Sequence, residues 1–168
     1  GFHEASISGI TRSAGVALGT FYTYFDSKDA VFRALVSDMS AGVGKAAREA
    51  LDPSMGALEI ERVALRAFLE FAAEHKEIYR IIDEAEFVDP DSYRAHYETI
   101  GSRIEERLKL GGESGEFAPG LGTPEAWAVM GMNVFLGLRY VIWGREGDPD
   151  FEEIARRANT LLTRGIAS

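Results

Sequence analysis

Thr20, Tyr22, Thr23, Tyr24 and Lys28 place four hydroxyls and one amine within nine residues. Such groups donate to phosphate oxygens and reach base edges without a large charge, and a threonine methyl can touch a thymine methyl. Leu18 and Gly19 lie on the same surface. Lys28 opens a helix, where free backbone amides also favour phosphate. The chemistry suggested is contact with double-stranded DNA. Phe21, Tyr22, Tyr24 and Phe25 would equally suit an aromatic core cluster, and spacing alone does not decide between the two.

Short helices must position these groups. Ser6 is placed to cap a helix over residues 7–13, and Ala14-Gly15 closes it with the glycine that a left-handed helix end prefers. A second short helix is expected over residues 17–24, with Val16, Phe21 and Phe25 on its packing side. Ser27 then caps a longer helix from Lys28 to about Ala50, with Asp29 in its first turn and Val31, Phe32, Leu35, Val36 and Met39 on one stripe. Two short helices joined by a tight glycine turn make a helix-turn-helix, whose second helix enters the major groove.

The net charge of the 168-residue chain is −9. That excludes a protein that coats nucleic acid by electrostatics alone. Up to Val36, however, Arg12, Lys28 and Arg33 cancel Glu4, Asp26 and Asp29, so this stretch alone does not repel phosphate. There is no cysteine, which excludes disulfides and thiolate metal sites and fits the cytoplasm. Asn133, Arg139 and Arg145 cut the longest apolar stretches, no run reaches membrane-spanning length, and no secretory leader is expected.

Residues 6–32, Ser-Ile-Ser-Gly-Ile-Thr-Arg-Ser-Ala-Gly-Val-Ala-Leu-Gly-Thr-Phe-Tyr-Thr-Tyr-Phe-Asp-Ser-Lys-Asp-Ala-Val-Phe, resemble the DNA-binding signature of the TetR family of transcriptional regulators. The most specific parts are Ala14-Gly15-Val16, Gly19-Thr20-Phe21-Tyr22, Tyr24-Phe25 and Ser27-Lys28. The match covers about a sixth of the chain. It implies that Thr20, Tyr22, Thr23, Tyr24 and Lys28 contact operator DNA, with Ser6 or Ser8 touching phosphate. Ala17 stands where the family commonly has serine, removing a cap, and Leu18 stands where a polar residue is frequent. The resemblance also implies a helix ahead of the motif. The DNA-binding domain is therefore expected over residues 1–36, truncated at its N-terminus, with a ligand-binding and dimerisation domain over residues 37–168.

Beyond the motif, apolar residues recur at helical spacing and the fold is expected to be all-α. Asp52-Pro53, Asp89-Pro90, Thr123-Pro124 and Asp148-Pro149 each pair a capping side chain with a proline suited to the first helical turn. They predict helices over residues 54–75, 77–86, 90–110, 124–146 and 149–165. Gly111–Gly122, rich in glycine, is expected to be a surface loop.

The helix after Thr123 is apolar on almost every side and needs cover all round, with Gly131 and Gly137 permitting close approach. A second copy of the chain is the natural cover, and the resemblance implies the same, a four-helix bundle of the last two helices. Val134, Leu138, Val141, Ile142, Ile154, Ala158, Leu161 and Leu162 are the expected dimer contacts. Twofold symmetry would set two reading heads about 34–36 Å apart and demand a near-palindromic operator.

For a small-molecule effector, Phe68, Phe71, Tyr79, Phe87, Tyr93, Tyr97 and Trp127 lie on helices expected to converge on an apolar pocket. Glu84, Glu86, Arg94, His96 and Asn133 could orient the ligand. No cofactor is expected. The function expected is a ligand-released repressor; the alternative is a helical interaction or small-molecule-binding module without sequence-specific DNA binding. An enzyme fits less well. The acidic run from Asp83 to Asp91 near His96 lacks the Glu-x-x-His spacing of a di-iron bundle, because Ala72 and Tyr93 precede His75 and His96 by three. Gly120-Leu121-Gly122 is a lone Gly-x-Gly, and Gly112-Glu113-Ser114-Gly115-Glu116 lacks the closing glycine of a nucleophile elbow.

Overall fold

The computed structural model describes residues 1–144, 147 and 149–164. Within them the chain forms α1 (Ile7–Ala14), α2 (Leu18–Tyr24), α3 (Lys28–Ala50), α4 (Ala57–Glu74), α5 (Glu77–Val88), α6 (Pro90–Ser114), α7 (Thr123–Gly137), a π-helical turn (Leu138–Ile142) and α8 (Phe151–Arg164). The described residues contain no strand. The all-α expectation is met.

Local sequence explains most helix ends. The Ser6 hydroxyl accepts the Gly9 amide at 3.1 Å, and Gly15 closes α1 at φ 69°, where a side chain would be strained. Ser27 accepts the Ala30 amide at 3.1 Å at the start of α3. Asp89 accepts from the Ser92 hydroxyl at 2.6 Å and precedes Pro90 in the first turn of α6. Ala17, as its side chain requires, starts α2 without a side-chain cap.

Three starts depart from expectation. Asp52 is tied instead to Ser54, accepting its amide at 2.8 Å and its hydroxyl at 2.5 Å. The chain therefore turns there, and α4 begins only at Ala57. Thr123 lies inside α7; its hydroxyl donates to Glu105 at 2.8 Å, and Glu125 accepts the Gly122 amide at 2.8 Å. Helix α8 begins at Phe151, where Asp150 accepts the Glu153 amide at 2.9 Å. Asp148, and the expected helix ends at residues 146 and 165, lie outside the described residues.

Nor is Gly111–Gly122 wholly a loop. Helix α6 runs on to Ser114, and Gly111 is buried in it because a Cβ there would overlap the Phe117 ring. The segment that follows caps a neighbour: the Glu116 carboxylate accepts the Ala57 amide at 2.9 Å at the N-terminus of α4, where the helix dipole favours a negative charge.

Three apolar clusters hold the helices together. Phe32 and Val36 of α3 pack with Ile78, Ile82 and Ala85 of α5. Leu65, Leu69 and Ala72 of α4 pack with Val141, Ala155 and Ala158. Ile104 and Leu108 of α6 pack with Ala126, Val129 and Met130 of α7. Leu69 has no exposed surface, so its truncation to alanine would cost about 2–5 kcal/mol. Arg62 and Arg66 of α4 both pair with Glu152, fastening α8 to α4. No helix among the described residues is long and apolar enough to cross a membrane.

Candidate DNA-reading head and effector cavity

The second short helix, α2, turns its hydroxyls outward. Tyr22 is 55% and Tyr24 76% exposed, and Leu18, Gly19, Thr20 and Thr23 are exposed beside them. Phe21 is buried and Phe25 half-buried, so the aromatic run divides: the phenylalanines pack and the tyrosines do not. Val16 differs from expectation, being 44% exposed. Thr23 donates to the Gly19 carbonyl at 3.2 Å, which occupies its proton and leaves its oxygen free to accept.

Ser6 and Ser8 are exposed at the start of α1, their hydroxyls 3.2 Å apart. Lys28 is placed otherwise than expected. Its ammonium donates to the Phe2 carbonyl at 2.8 Å and the Ala5 carbonyl at 3.0 Å, and lies 4.3 Å from the centre of the Phe2 ring. It clamps the turn before α1 instead of standing free for phosphate.

That turn reaches the rest of the molecule. The Phe2 ring packs edge-on against Phe32 at 5.0 Å, and the Phe2 amide donates to Glu84 of α5 at 3.0 Å. Glu84 is therefore engaged by the head.

The expected effector residues separate into two places. Phe68 and Asn133 line a cavity of about 70 Å³ between α3, α4, α6 and α7. A second space of about 30 Å³ shares Phe68 and extends to Tyr79, His96 and Tyr97. Tyr79, Glu86, Tyr93, Arg94, Tyr97 and Trp127 line an open groove of about 660 Å³ on the outside of α5, α6 and α7. Phe71 lines none of these: its ring packs on His75 at 4.5 Å and fills the space beside Gly42. Phe87, 81% exposed, points away from the convergence expected of it.

Burial sets the protonation of the cavity wall. It pushes the Tyr97 hydroxyl up to about 12, helped by Tyr93 and Asp83, and pushes Tyr79 up as well. Both stay protonated, and Tyr79 donates to the Val134 carbonyl at 2.9 Å. His96, lowered to about 4 by burial, stays neutral with its Nδ1 2.6 Å from the Ser40 hydroxyl.

Sequence reasoning missed Arg103 and Arg107, which also line the larger cavity. Arg107 forms a two-pronged pair with buried Glu61, at 2.5 and 3.1 Å. Charged residues on a helix read as a solvated face. The available signal was Gly44 on the facing helix, where a Cβ would overlap the Arg103 guanidinium.

The expected dimer contacts also divide. Val141 and Ala158 are 6% and 8% exposed and pack in the chain's own core against α4, although Ala158 also borders a surface groove. Val134 borders the cavities and Leu138 the open groove. Ile142 and Ile154 are half-buried, while Leu161 and Leu162 are 43% and 40% exposed. Periodicity did not single out Phe135 and Trp143, 66% and 60% exposed. Met132, Leu136 and Tyr140 line one groove with Ile154 and Leu161.

Residues 1–35 match the family described as bacterial regulatory proteins, tetR family. The whole chain is 25% identical over 173 aligned residues to the uncharacterised HTH-type transcriptional regulator YhgD of Bacillus subtilis (strain 168), covering 100% of this chain and 89% of YhgD. The fold is similar to that of the transcriptional regulator FadR from Bacillus subtilis, solved in complex with stearoyl-CoA. There the TM-score is 0.83 at 20% identity, covering 99% of this chain and 91% of FadR. It is also similar to that of the TetR family regulator PfmR from Thermus thermophilus, at TM-score 0.77 and 20% identity, covering 100% of this chain and 92% of PfmR. The head thus has the sequence of the tetR DNA-binding segment, and the helices behind it have the fold of regulators of that family.

Proposed function

We propose that this chain, a DNA-binding regulator with a tetR-type head, occupies a near-palindromic operator as a homodimer and leaves it when a small apolar or amphipathic molecule enters the helical domain. The observation that carries the proposal is the outward row of Thr20, Tyr22 and Tyr24 on α2, with buried Phe21 anchoring the same helix. That arrangement presents donors and methyl groups to the major groove while fixing the helix that bears them.

A homodimer supplies the cover that exposed Phe135, Tyr140, Trp143, Leu161 and Leu162 lack, and its twofold axis matches a palindrome. The cavities beside Phe68 and Tyr97 give an effector somewhere to bind, and FadR, of similar fold, holds an acyl-CoA. An effector releases DNA only if it binds better to a head spacing that does not fit the operator. The exposed DNA candidates Ser6, Ser8, Leu18, Gly19, Thr20, Tyr22, Thr23 and Tyr24 form the reading edge, with Lys28 bracing it.

Selection of bound sequences from random duplex DNA at fixed salt tests this reading. Enrichment of a palindrome by the wild-type protein, lost in Tyr22→Ala, supports it. Binding without enrichment, or no binding, favours a helical module that does not read sequence.

A further inference from the structure

The larger cavity is apolar over most of its wall, through Val43, Ala64, Ile104 and Met130, yet two of the side chains that line it each bury a polar atom with nothing to bond. One is the Arg103 Nη1 and the other the Asn133 Oδ1, both buried without a hydrogen-bond partner. An unpartnered guanidinium nitrogen in apolar surroundings is costly, and Arg107 shows the usual remedy in the same wall by pairing with Glu61. Among the described residues no ion pair involves Arg103. Half-buried Arg103 therefore brings to the cavity wall a positive charge with no ionic partner among the described residues.

Neighbouring residues hold it there. Gly44 leaves the space that the Arg103 guanidinium fills, and a Cβ at that position would displace it. The Asn133 amide, turned over, would offer its NH₂ to the same space. Beyond these groups, the adjoining space of about 30 Å³ leads along Phe68 and Ile100 to His96 and Tyr97. Together the two spaces have room for roughly seven water-sized groups, enough for a short aliphatic or aromatic body.

Resting on the regulator reading above and naming the class of its effector, we propose that this cavity binds an anionic amphiphile. Its carboxylate pairs with Arg103 and accepts from Asn133, and its apolar body lies along Phe68 toward Tyr97. The guanidinium matches a carboxylate in charge and donor geometry, which a neutral alcohol of equal length cannot exploit.

Calorimetric titration with octanoate, octanol and octanoyl-CoA, on wild type and Arg103→Met, tests this. The wild type should bind octanoate at least about tenfold more tightly than octanol, and Arg103→Met should abolish that preference. Without ligand, Arg103→Met should also unfold at a higher temperature than wild type, because a buried guanidinium nitrogen without a partner has been removed. Equal or tighter binding of octanol by the wild type, octanoate binding indifferent to Arg103→Met, or binding of none of the three overturns the proposal. Tighter binding of octanoyl-CoA than octanoate, unaffected by Arg103→Met, overturns it in favour of a thioester ligand. Operator selection is read separately: a selected palindrome with no preference for octanoate defeats only this inference, and octanoate preference without a palindrome defeats only the regulator.

Discussion

The Glu84 carboxylate, on α5, accepts the Phe2 backbone amide at 3.0 Å, and this bond joins the helix-turn-helix head to a helix that also lines the cavities. Phe2 is in turn gripped by Lys28 and packed on Phe32, so a short, continuous set of contacts links α5 to the head.

Glu84→Ala should therefore lower stability by about 1 kcal/mol, a fall of about 2–4 °C in thermal midpoint for a chain of this size. It should also shrink the ratio of operator affinities measured without and with effector. An unchanged ratio would show that coupling runs through α3 alone.

Lys28→Met separates bracing from phosphate contact. A lysine on phosphate contributes about 0.9 to the slope of log affinity against log salt. Because the Lys28 ammonium is committed to the Phe2 and Ala5 carbonyls, the variant should keep the wild-type slope while binding more weakly at every salt concentration. A slope reduced by nearly one would return Lys28 to the DNA surface.

Gly137→Ala should cost about 1–3 kcal/mol by overpacking, because the added Cβ would overlap the Tyr79 hydroxyl. Tyr79→Phe in the same background should restore part of the loss, measured by urea unfolding. A neutral Gly137→Ala would mean that Tyr79 moves aside freely.

His96 should make the protein acid-sensitive. Its folded value, about 4, lies below the ordinary 6.5, so the neutral ring favours the native state. That contribution is whole above pH 6.5 and is lost as pH falls toward 4, at a slope of at most about 1.4 kcal/mol per pH unit. His96→Gln should flatten the stability profile across that interval and leave its alkaline side unchanged in shape.

The head was legible in the sequence because its signals are local: Ser6, Gly15 and Ser27 each act on atoms within three or four residues. What escaped depended on distant neighbours. Glu116 caps a helix 59 residues earlier in the chain, and nothing near it in sequence marks that role. Arg103 looks solvated until Gly44, on another helix, makes room for it. Asp52 misled for a local reason, since two donors on Ser54 outcompeted the helix for its carboxylate.

The π-helical turn at Leu138–Ile142, closed by the Trp143 amide on the Leu138 carbonyl at 2.8 Å, takes up more residues than an α-turn over the same arc. Side chains after it are out of step with those before it. Val141, inside the turn, faces the chain's own core. Among related proteins, loss of one residue here would restore an unbroken helix and rotate the stretch leading to Trp143 by about 100°. A single-residue gap in an alignment at this point would then mark a different subunit pairing, although every residue type on either side stayed the same.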